Sequence, residues 1–173
     1  MPTYAYRITH LDNLPWILGN GLHCVSSDVK NPNFVAIGNP DLIEKRSTRA
    51  VAVAPGGVLD DYVPFYFCTH SAMLYNIHTG WNGLRRVGQR DVIYLVTAVE
   101  RLVDQGYQFL FTDRHAYVEN AVYSSDPAAL SGLDWPLIQG RDFRRDPNRP
   151  DKLERRAAEL LVHQHVGVEA LLG

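Results

Sequence analysis

The N-terminal segment of the chain alternates in a way that predicts a strand. Four side chains recur at every second position and therefore point to one face of an extended segment: Tyr4, Tyr6, Ile8 and His10. The last of them, His10, comes at the predicted strand end, close to the polar residues Thr9, Asp12 and Asn13. The pattern therefore places a histidine where a site can be built on a rigid scaffold.

Two short helices are predicted after this strand. The first is indicated by the helical spacing of the apolar residues Leu14, Ile17, Leu18 and Leu22. Asp12 is a suitable N-cap for it, Pro15 lies inside its first turn, and Gly21 is placed to end it. Asn39 can cap a second helix that begins at Pro40 and has three basic residues near its C-terminal end: Lys45, Arg46 and Arg49.

The middle of the chain alternates between predicted strands and helices. Apolar or alternating runs predict strands over residues 50–54, 62–68, 91–97 and 108–112. Within the second of these strands, Pro64 favours an edge position or the start of the strand. Helices are predicted over residues 71–78 and 98–105. The later helix ends at Gly106 and turns three residues inward: Val99, Leu102 and Val103.

The C-terminal part of the chain has no single interpretation from its pattern. Residues 117–150 are rich in turn-forming sequence and lack periodicity, which is typical of a functional or disordered insertion. A helix can begin at Asp151. The apolar run of residues 160–162 equally suits a buried strand that is entered at Glu159, and periodicity does not decide between the two.

Length and composition indicate one globular domain over residues 1–173. Hydrophobic residues make up 46% of the chain and charged residues 21%, which is ordinary for a soluble protein. No apolar run approaches the roughly 20 residues that cross a bilayer, and the N-terminus lacks a signal-peptide pattern. Cys24 and Cys68 fit no zinc pattern and are interpreted as small buried hydrophobes. We therefore expect a cytoplasmic protein without a membrane segment.

The net charge of −2 gives no whole-chain argument for nucleic-acid binding. Basic residues are nevertheless concentrated in residues 141–156, where seven of them stand against four acids and leave a local excess of three. They are Arg141, Arg144, Arg145, Arg149, Lys152, Arg155 and Arg156. This excess suits a phosphate backbone, and a solvated loop and helix surface is an equally good interpretation.

Four blocks, in the same order, resemble the DarT family of bacterial toxins, which ADP-ribosylate single-stranded DNA. The blocks are residues 6–14, residues 61–78, the Asp-Arg-His-Ala of residues 113–116, and the run that begins at Glu159. The resemblance covers nearly the whole chain. It implies a PARP-like ADP-ribosyltransferase fold of the α/β (α+β) class, with a split, mainly antiparallel sheet and short flanking helices. It also places Glu159 at the start of a buried strand.

The resemblance implies that NAD is the co-substrate. His10 would hydrogen-bond a ribose of NAD, and Thr9 and Asn13 would add polar contacts. Tyr75 would line the nicotinamide pocket, with Met73 as its close competitor for that role.

The resemblance implies that Glu159 and Arg46 carry the catalysis. Cleavage of the bond to nicotinamide needs an anion near a developing oxocarbenium ion and requires no metal. Glu159 would bind the ribose 2-hydroxyl, stabilise that cation and accept a proton from the base. Arg46 would contact the base or the NAD phosphates, although Arg49 can be aligned to the same role.

By the same resemblance, residues 117–156 would form a DNA-binding wall. Trp135, Tyr123 or Phe143 would stack on exposed bases. Phosphates would be held by Arg49, Arg144, Arg145, Arg149 and Arg155. The expected substrate is thymidine in single-stranded DNA, and the expected partner is a DarG-like macrodomain antitoxin. The alternatives are the same fold acting on guanosine, RNA or protein, or a non-catalytic nucleic-acid-binding domain.

Other chemistry has little support in the sequence. The seven histidines include no pair with zincin spacing, and the chain lacks a Walker loop, a Rossmann fingerprint and a Gly-x-Ser-x-Gly elbow. His163 and His165 could share a strand face and bind a metal, but a solvated pair is the simpler interpretation. An NAD enzyme without a Rossmann motif fits a transferase that consumes NAD.

Overall fold

The computed structural model describes residues 2–80 and 86–172. Its strands are β1 Tyr4–His10, β2 Leu22–His23, β3 Tyr62–Tyr66, β4 Val92–Ala98, β5 Phe109–Thr112, β6 Tyr123–Ser124, β7 Glu159–His163 and β8 His165–Val166. Its α-helices are α1 Leu14–Asn20, α2 Pro40–Ser47, α3 Ala72–Thr79, α4 Val99–Asp104, α5 Trp135–Gln139 and α6 Lys152–Arg156. None of the helices described is both long and apolar enough to cross a membrane.

Six strands form one antiparallel sheet in the order β4-β1-β3-β7-β5-β6, and β2 pairs with β8 in a separate ribbon. β1 pairs with β4 along its whole length, from Tyr4 opposite Ala98 to His10 opposite Val92. Between β1 and β3, the pairing in the described residues is a single position, Tyr6 opposite Tyr66. The sheet is therefore split at this point, and the predicted split, mainly antiparallel sheet is confirmed.

Pro64 lies in the inner strand β3, although a proline favours an edge. On one side it stands opposite Leu161 of β7. On the other side, at the split, its carbonyl accepts a hydrogen bond from Arg7 Nη1 at 3.0 Å. A side chain of β1 thus takes the place of part of the backbone ladder, which explains why a proline is tolerated here.

The two interpretations of the C-terminal segment are both realised, because α6 ends at Arg156 and β7 begins at Glu159. β7 lies between β3 and β5. Leu160 and Val162 belong to the main hydrophobic core. Leu161 belongs to a second cluster with Val51, Leu59, Tyr62, Leu110 and Ala116. Both faces of the strand are covered, and this explains an apolar run that does not alternate.

Two predictions about the middle of the chain are wrong. Residues 50–54 form no strand, since Ala50 makes only an isolated bridge with Val58. Val103 is 48% exposed and does not face the core. The helix α4 has only six residues, and its buried positions are Val99 and Leu102.

The start of α1 also differs from the prediction. A 3-10 turn, Leu11–Asn13, precedes the helix, and His10 caps this turn by accepting the Asp12 N–H on Nδ1 at 3.1 Å. Asp12 therefore does not act as the N-cap. The predicted end at Gly21 is confirmed: its φ is +77°, and a Cβ there would lie 2.6 Å from the Val166 carbonyl oxygen.

The segment of residues 117–156 is more regular than its sequence indicates. It contains β6, a 3-10 turn over Pro127–Gly132, α5 and α6. Trp135 packs edge-on against Phe67 with ring centres 5.4 Å apart, and its Nε1 donates to the Leu130 carbonyl at 2.9 Å. Apolar side chains therefore fold this segment back onto the core, which also contains the two free cysteines, Cys24 and Cys68.

Candidate active site

A carboxylate without solvent exposure stands at the first position of β7. This residue, Glu159, lies opposite Tyr66 of β3. Its backbone N–H donates to Thr112 Oγ1 at 3.0 Å, which fixes the start of β7 against the end of β5. The sheet therefore holds the carboxylate in a defined place at the start of an inner strand.

Both carboxylate oxygens of Glu159 have partners. Oε2 accepts a hydrogen bond from Arg46 Nη1 at 3.0 Å, and Oε1 accepts one from the Ala116 N–H at 2.9 Å. Oε1 also lies 3.0 Å from His115 Nδ1. Burial by itself raises the pKa of Glu159, but the Arg46 charge, His115 and the Ala116 N–H together lower this pKa to about 2. The carboxylate is therefore ionised at neutral pH.

Arg46 reaches the carboxylate from the last turn of α2. Asn39 caps this helix by accepting the Asp41 N–H on Oδ1 at 3.0 Å, and Pro40 occupies its first turn. Burial lowers the pKa of Arg46, but the charge and hydrogen bond of Glu159, together with Tyr66 and Asp60, raise this pKa above its ordinary value. Nη2 of Arg46 is buried and has no hydrogen-bond partner in the described residues. It is a donor that a ligand can use.

Arg49 occupies a different place from Arg46. Its Nη2 donates to the carbonyls of Val118 and Glu119 at 3.0 Å and 2.9 Å. This side chain therefore ties the end of α2 to the start of the insertion. Of the two arginines that the sequence left as alternatives, Arg46 is the one in contact with Glu159.

A second arginine and a tyrosine surround the ion pair. Burial, and then the nearby Arg46 charge, lower the pKa of Arg7 to about 10. Burial and the charge of Glu159 raise the pKa of Tyr66 above its ordinary value, so its hydroxyl stays protonated. The ionised Glu159 therefore sits beside the Arg46 guanidinium and a neutral phenol, and Arg7 lies near Arg46 and Tyr66.

The predicted NAD contacts at the end of β1 have well-defined partners. Because His10 Nδ1 accepts the Asp12 N–H, the neutral ring carries its proton on Nε2. Asn13 Nδ2 donates to Thr9 Oγ1 at 3.0 Å and to the Val35 carbonyl at 2.9 Å, and its Oδ1 accepts the Val35 N–H at 2.8 Å. Thr9 and Asn13 therefore hold the loop that precedes α2 against β1. Their contact with NAD stays a prediction.

A cleft of about 1060 Å³ opens beside the buried ion pair. His115 and Tyr66 line it next to Glu159, Leu42 lines it from α2, and Met73 and Tyr75 line it from α3. Its remaining wall includes Arg141, Phe143, Arg144, Arg145 and Arg156. The structure thus brings together the predicted nicotinamide-pocket residues and part of the predicted DNA-binding segment.

Other residues predicted to bind DNA do not line this cleft. Arg149 forms an ion pair with Asp134 at 2.8 Å, and Arg155 forms one with Asp151 at 2.6 Å. Trp135 packs against the core. Tyr123 is half-buried, and its hydroxyl donates to the carbonyl of Ala116. The Ala116 N–H in turn binds Glu159, so Tyr123 supports the Glu159 carboxylate through the backbone.

Similarity to known proteins identifies the family of this chain. A family model described as "ssDNA thymidine ADP-ribosyltransferase, DarT" matches residues 6–173. The chain belongs to the DarT family. A "DNA ADP-ribosyl transferase" of Escherichia coli O127:H6 (strain E2348/69 / EPEC) is 47% identical over 97% of this chain and 77% of the relative.

Solved structures of DarT from Thermus sp. 2.9 have the same fold. The structure in complex with ADP-ribosylated ssDNA has a TM-score of 0.89 and 35% identity, covering 98% of this chain and 79% of that chain. The complex with NAD+ has a TM-score of 0.82 at the same identity and coverage. These matches confirm the predicted family, the ADP-ribosyltransferase fold, the enzyme class of NAD-dependent DNA ADP-ribosyltransferase, and NAD as co-substrate.

Sequence reasoning assigned no role to His115, although it lies in one of the four DarT-like blocks. It lies three residues after the end of β5, and its N–H donates to the Glu154 carbonyl at 2.9 Å. Beside it, Arg114 forms an ion pair with Asp113 at 3.0 Å and lies 3.9 Å from Glu154. The position of a histidine close to the C-terminal end of a strand, as with His10, was the signal that could have identified it.

Acid is expected to remove a stabilising contribution of Glu159. Its folded-state pKa of about 2 lies below its ordinary value of 4.5, so the folded state binds this proton less readily than the unfolded chain. The contribution is complete above pH 4.5 and is lost as the pH falls towards 2; the full difference is roughly 3 kcal/mol. The free energy of unfolding in urea is measured at pH 6 and at pH 2. Its decrease over this range should be smaller in Glu159→Gln than in the native protein by about this amount. Equal acid sensitivity of the two proteins would contradict the assignment.

Proposed function

We propose that this chain transfers ADP-ribose from NAD to thymidine in single-stranded DNA and acts as the toxin of a toxin–antitoxin pair. The observation that carries the proposal is the buried Arg46–Glu159 ion pair beside a basic cleft, in a chain that belongs to the DarT family. The description of the matching family model supports thymidine as the target. The Thermus structures, which contain NAD+ or ADP-ribosylated ssDNA, support the two substrates.

The reaction breaks the bond between ribose C1′ and the nicotinamide nitrogen. Nicotinamide leaves as a neutral molecule with the bonding electron pair, and C1′ takes on the positive charge of an oxocarbenium ion. A nitrogen of the base then attacks C1′ and loses its proton. A fixed anion stabilises the transition state of such a step, and the ionised Glu159 is suited to this role. The substrate reaches it at the end of the cleft where His115 and Tyr66 lie.

The proton released by the attacking nitrogen needs an acceptor. With a pKa of about 2, Glu159 is a weak base for as long as Arg46 holds Oε2. We infer that substrate draws Arg46 towards itself through the unpartnered Nη2. Loosening of the ion pair raises the pKa of Glu159, and the carboxylate then becomes able to accept the proton.

The partner and compartment follow from this reaction. A protein that marks DNA harms its own cell unless the mark is removed or the enzyme is blocked. We therefore propose a DarG-like macrodomain antitoxin as its partner. NAD and DNA occur together in the bacterial cytoplasm, which is where the proposal places the protein.

Intact-mass measurement of oligonucleotides tests the proposed reaction. The protein and NAD are incubated with three strands of equal length: a mixed sequence, a thymidine-free sequence, and the mixed sequence annealed to its complement. We expect one added ADP-ribose on the mixed single strand alone, located on thymidine by fragmentation. Modification of the thymidine-free strand would show that the enzyme targets another base and not thymidine. NAD consumption without any DNA product would move the target to RNA or protein, and absence of NAD turnover would overturn the transferase proposal.

A further inference from the structure

A buried arginine other than Arg46 lines the cleft, and the catalytic arrangement above does not use it. Arg156 is the last residue of α6 and is 5% exposed. Its Nη1 donates to the carbonyl of Leu137 in α5 at 2.6 Å, and its Cζ lies 4.1 Å from the centre of the Phe143 ring. The hydrogen bond and the stacked ring together fix the plane and the direction of this guanidinium.

The opposite edge of the Arg156 guanidinium has no partner. Nε and Nη2 are both buried, and neither makes a hydrogen bond within the described part of the chain. These two N–H groups point the same way along one edge of the planar group, as a fork that matches two oxygens of one phosphate or carboxylate. Buried donors without partners are rare in folded proteins, so this fork indicates a ligand.

The lining of the cleft favours an anion at this fork. Arg156 shares the cleft with three other arginines: Arg141, Arg144 and Arg145. The carboxylate among the cleft's lining residues, Asp142, forms ion pairs with Arg144 at 3.0 Å and with Lys152 at 2.9 Å. Its charge is therefore offset by these neighbours. The net field in the cleft is positive, which attracts phosphate groups.

We propose that Arg156 binds a phosphate through Nε and Nη2, and that this phosphate is a phosphodiester of the DNA strand. The inference rests on the proposed function, since it assumes that DNA enters the cleft. Arg156 lies on the wall formed by α6 and residues 141–145, which is part of the segment predicted to contact DNA. Only two residues separate it from Glu159. A phosphate held here therefore positions the neighbouring nucleotide close to the catalytic carboxylate. The diphosphate of NAD has the same chemistry and is the other source to be distinguished.

Two substitutions separate the charge of Arg156 from its geometry. Arg156→Gln removes both, whereas Arg156→Lys keeps the charge and loses the fork. Binding of a fluorescent single strand is measured without NAD at several KCl concentrations. We expect Arg156→Gln to weaken binding about tenfold and to reduce the salt slope by about 0.7, the value for one phosphate contact on a single strand. Arg156→Lys should weaken binding and keep most of the slope, while the KM for NAD stays at the native value in both variants.

Arg101→Gln is the matched control. Arg101 also donates to a backbone carbonyl, that of Glu169, through Nε at 2.7 Å, but it does not line the cleft. This substitution therefore removes an arginine that holds the backbone without touching the proposed phosphate position. DNA affinity and salt slope should equal those of the native protein.

Neutral methylphosphonate linkages, introduced one at a time, identify the phosphate. The native protein should lose affinity at one particular linkage, and Arg156→Gln should show no further loss there. If Arg156→Gln fails to fold by circular dichroism, the same series on Arg156→Lys decides the question. A raised KM for NAD with unchanged DNA affinity would overturn the DNA assignment in favour of the NAD diphosphate. Native behaviour of both folded variants towards NAD and DNA would overturn the phosphate site, while native protein that leaves all DNA unmodified would overturn the proposed function itself.

Discussion

Glu159→Gln is expected to slow the transfer of ADP-ribose to DNA by about a thousandfold or more. Glutamine keeps the shape of the side chain and can still accept the Ala116 N–H. It removes the negative charge that we propose stabilises the oxocarbenium ion, and losses of this size follow the removal of comparable electrostatic groups. Because this interaction develops in the transition state, kcat should fall far more than the KM for NAD changes. The measurement is the initial rate of product formation by intact mass at saturating NAD.

Glu44→Gln provides the control for this loss. Glu44 is an exposed carboxylate on α2, two residues before Arg46, and its replacement causes the same change in net charge. The native rate is expected in this variant. Retention of more than a tenth of the native rate by Glu159→Gln, in a protein that melts as the native one does, would show that another group supplies the anion.

The sequence was sufficient to predict the elements whose patterns are strong. The alternating residues of β1 do form a strand that ends at His10, although burial along it does not alternate, since its buried residues are Ala5, Ile8 and Thr9. The sequence could not identify which arginine forms the ion pair. Arg46 lies in the last turn of α2 and Arg49 two residues after the helix ends, and only the direction in which α2 packs sends Arg46 to Glu159 and Arg49 to the insertion.

The contacts around Glu159 depend on long-range pairing that no local pattern contains. Arg46 lies 113 residues from Glu159 in sequence, and the two meet because β7 is inserted between β3 and β5. The carboxylate itself could be placed at a strand start only through the family resemblance, since its apolar run suited a helix equally well. His115 was assigned no role, and Arg156 was only one of seven clustered basic residues, because their contacts with Glu159 and with Leu137 join residues that are distant in sequence.

Arg46→Met is expected to destabilise the protein by roughly 3–5 kcal/mol at pH 7. The substitution keeps most of the apolar length of the side chain and removes the cation that binds Oε2. The Glu159 carboxylate would then stay buried without that partner, which raises its pKa and costs stability. The free energy of unfolding is measured in urea. The deficit should shrink as the pH is lowered, because the protonated carboxyl group no longer needs a cation.

The double variant Arg46→Met/Glu159→Met distinguishes a lost contact from an uncompensated charge. Replacing both members of a buried ion pair by apolar side chains is often close to neutral, so the double variant should recover most of the stability that Arg46→Met loses. Arg49→Met removes hydrogen bonds to two carbonyls and leaves the Arg46–Glu159 ion pair intact, and we expect it to cost about 1–2 kcal/mol. Equal losses in Arg46→Met and Arg49→Met, without recovery in the double variant, would mean that Arg46 acts by packing. Recovery of stability without recovery of activity would instead show that the ion pair is retained for catalysis, since the fold can be stable without it.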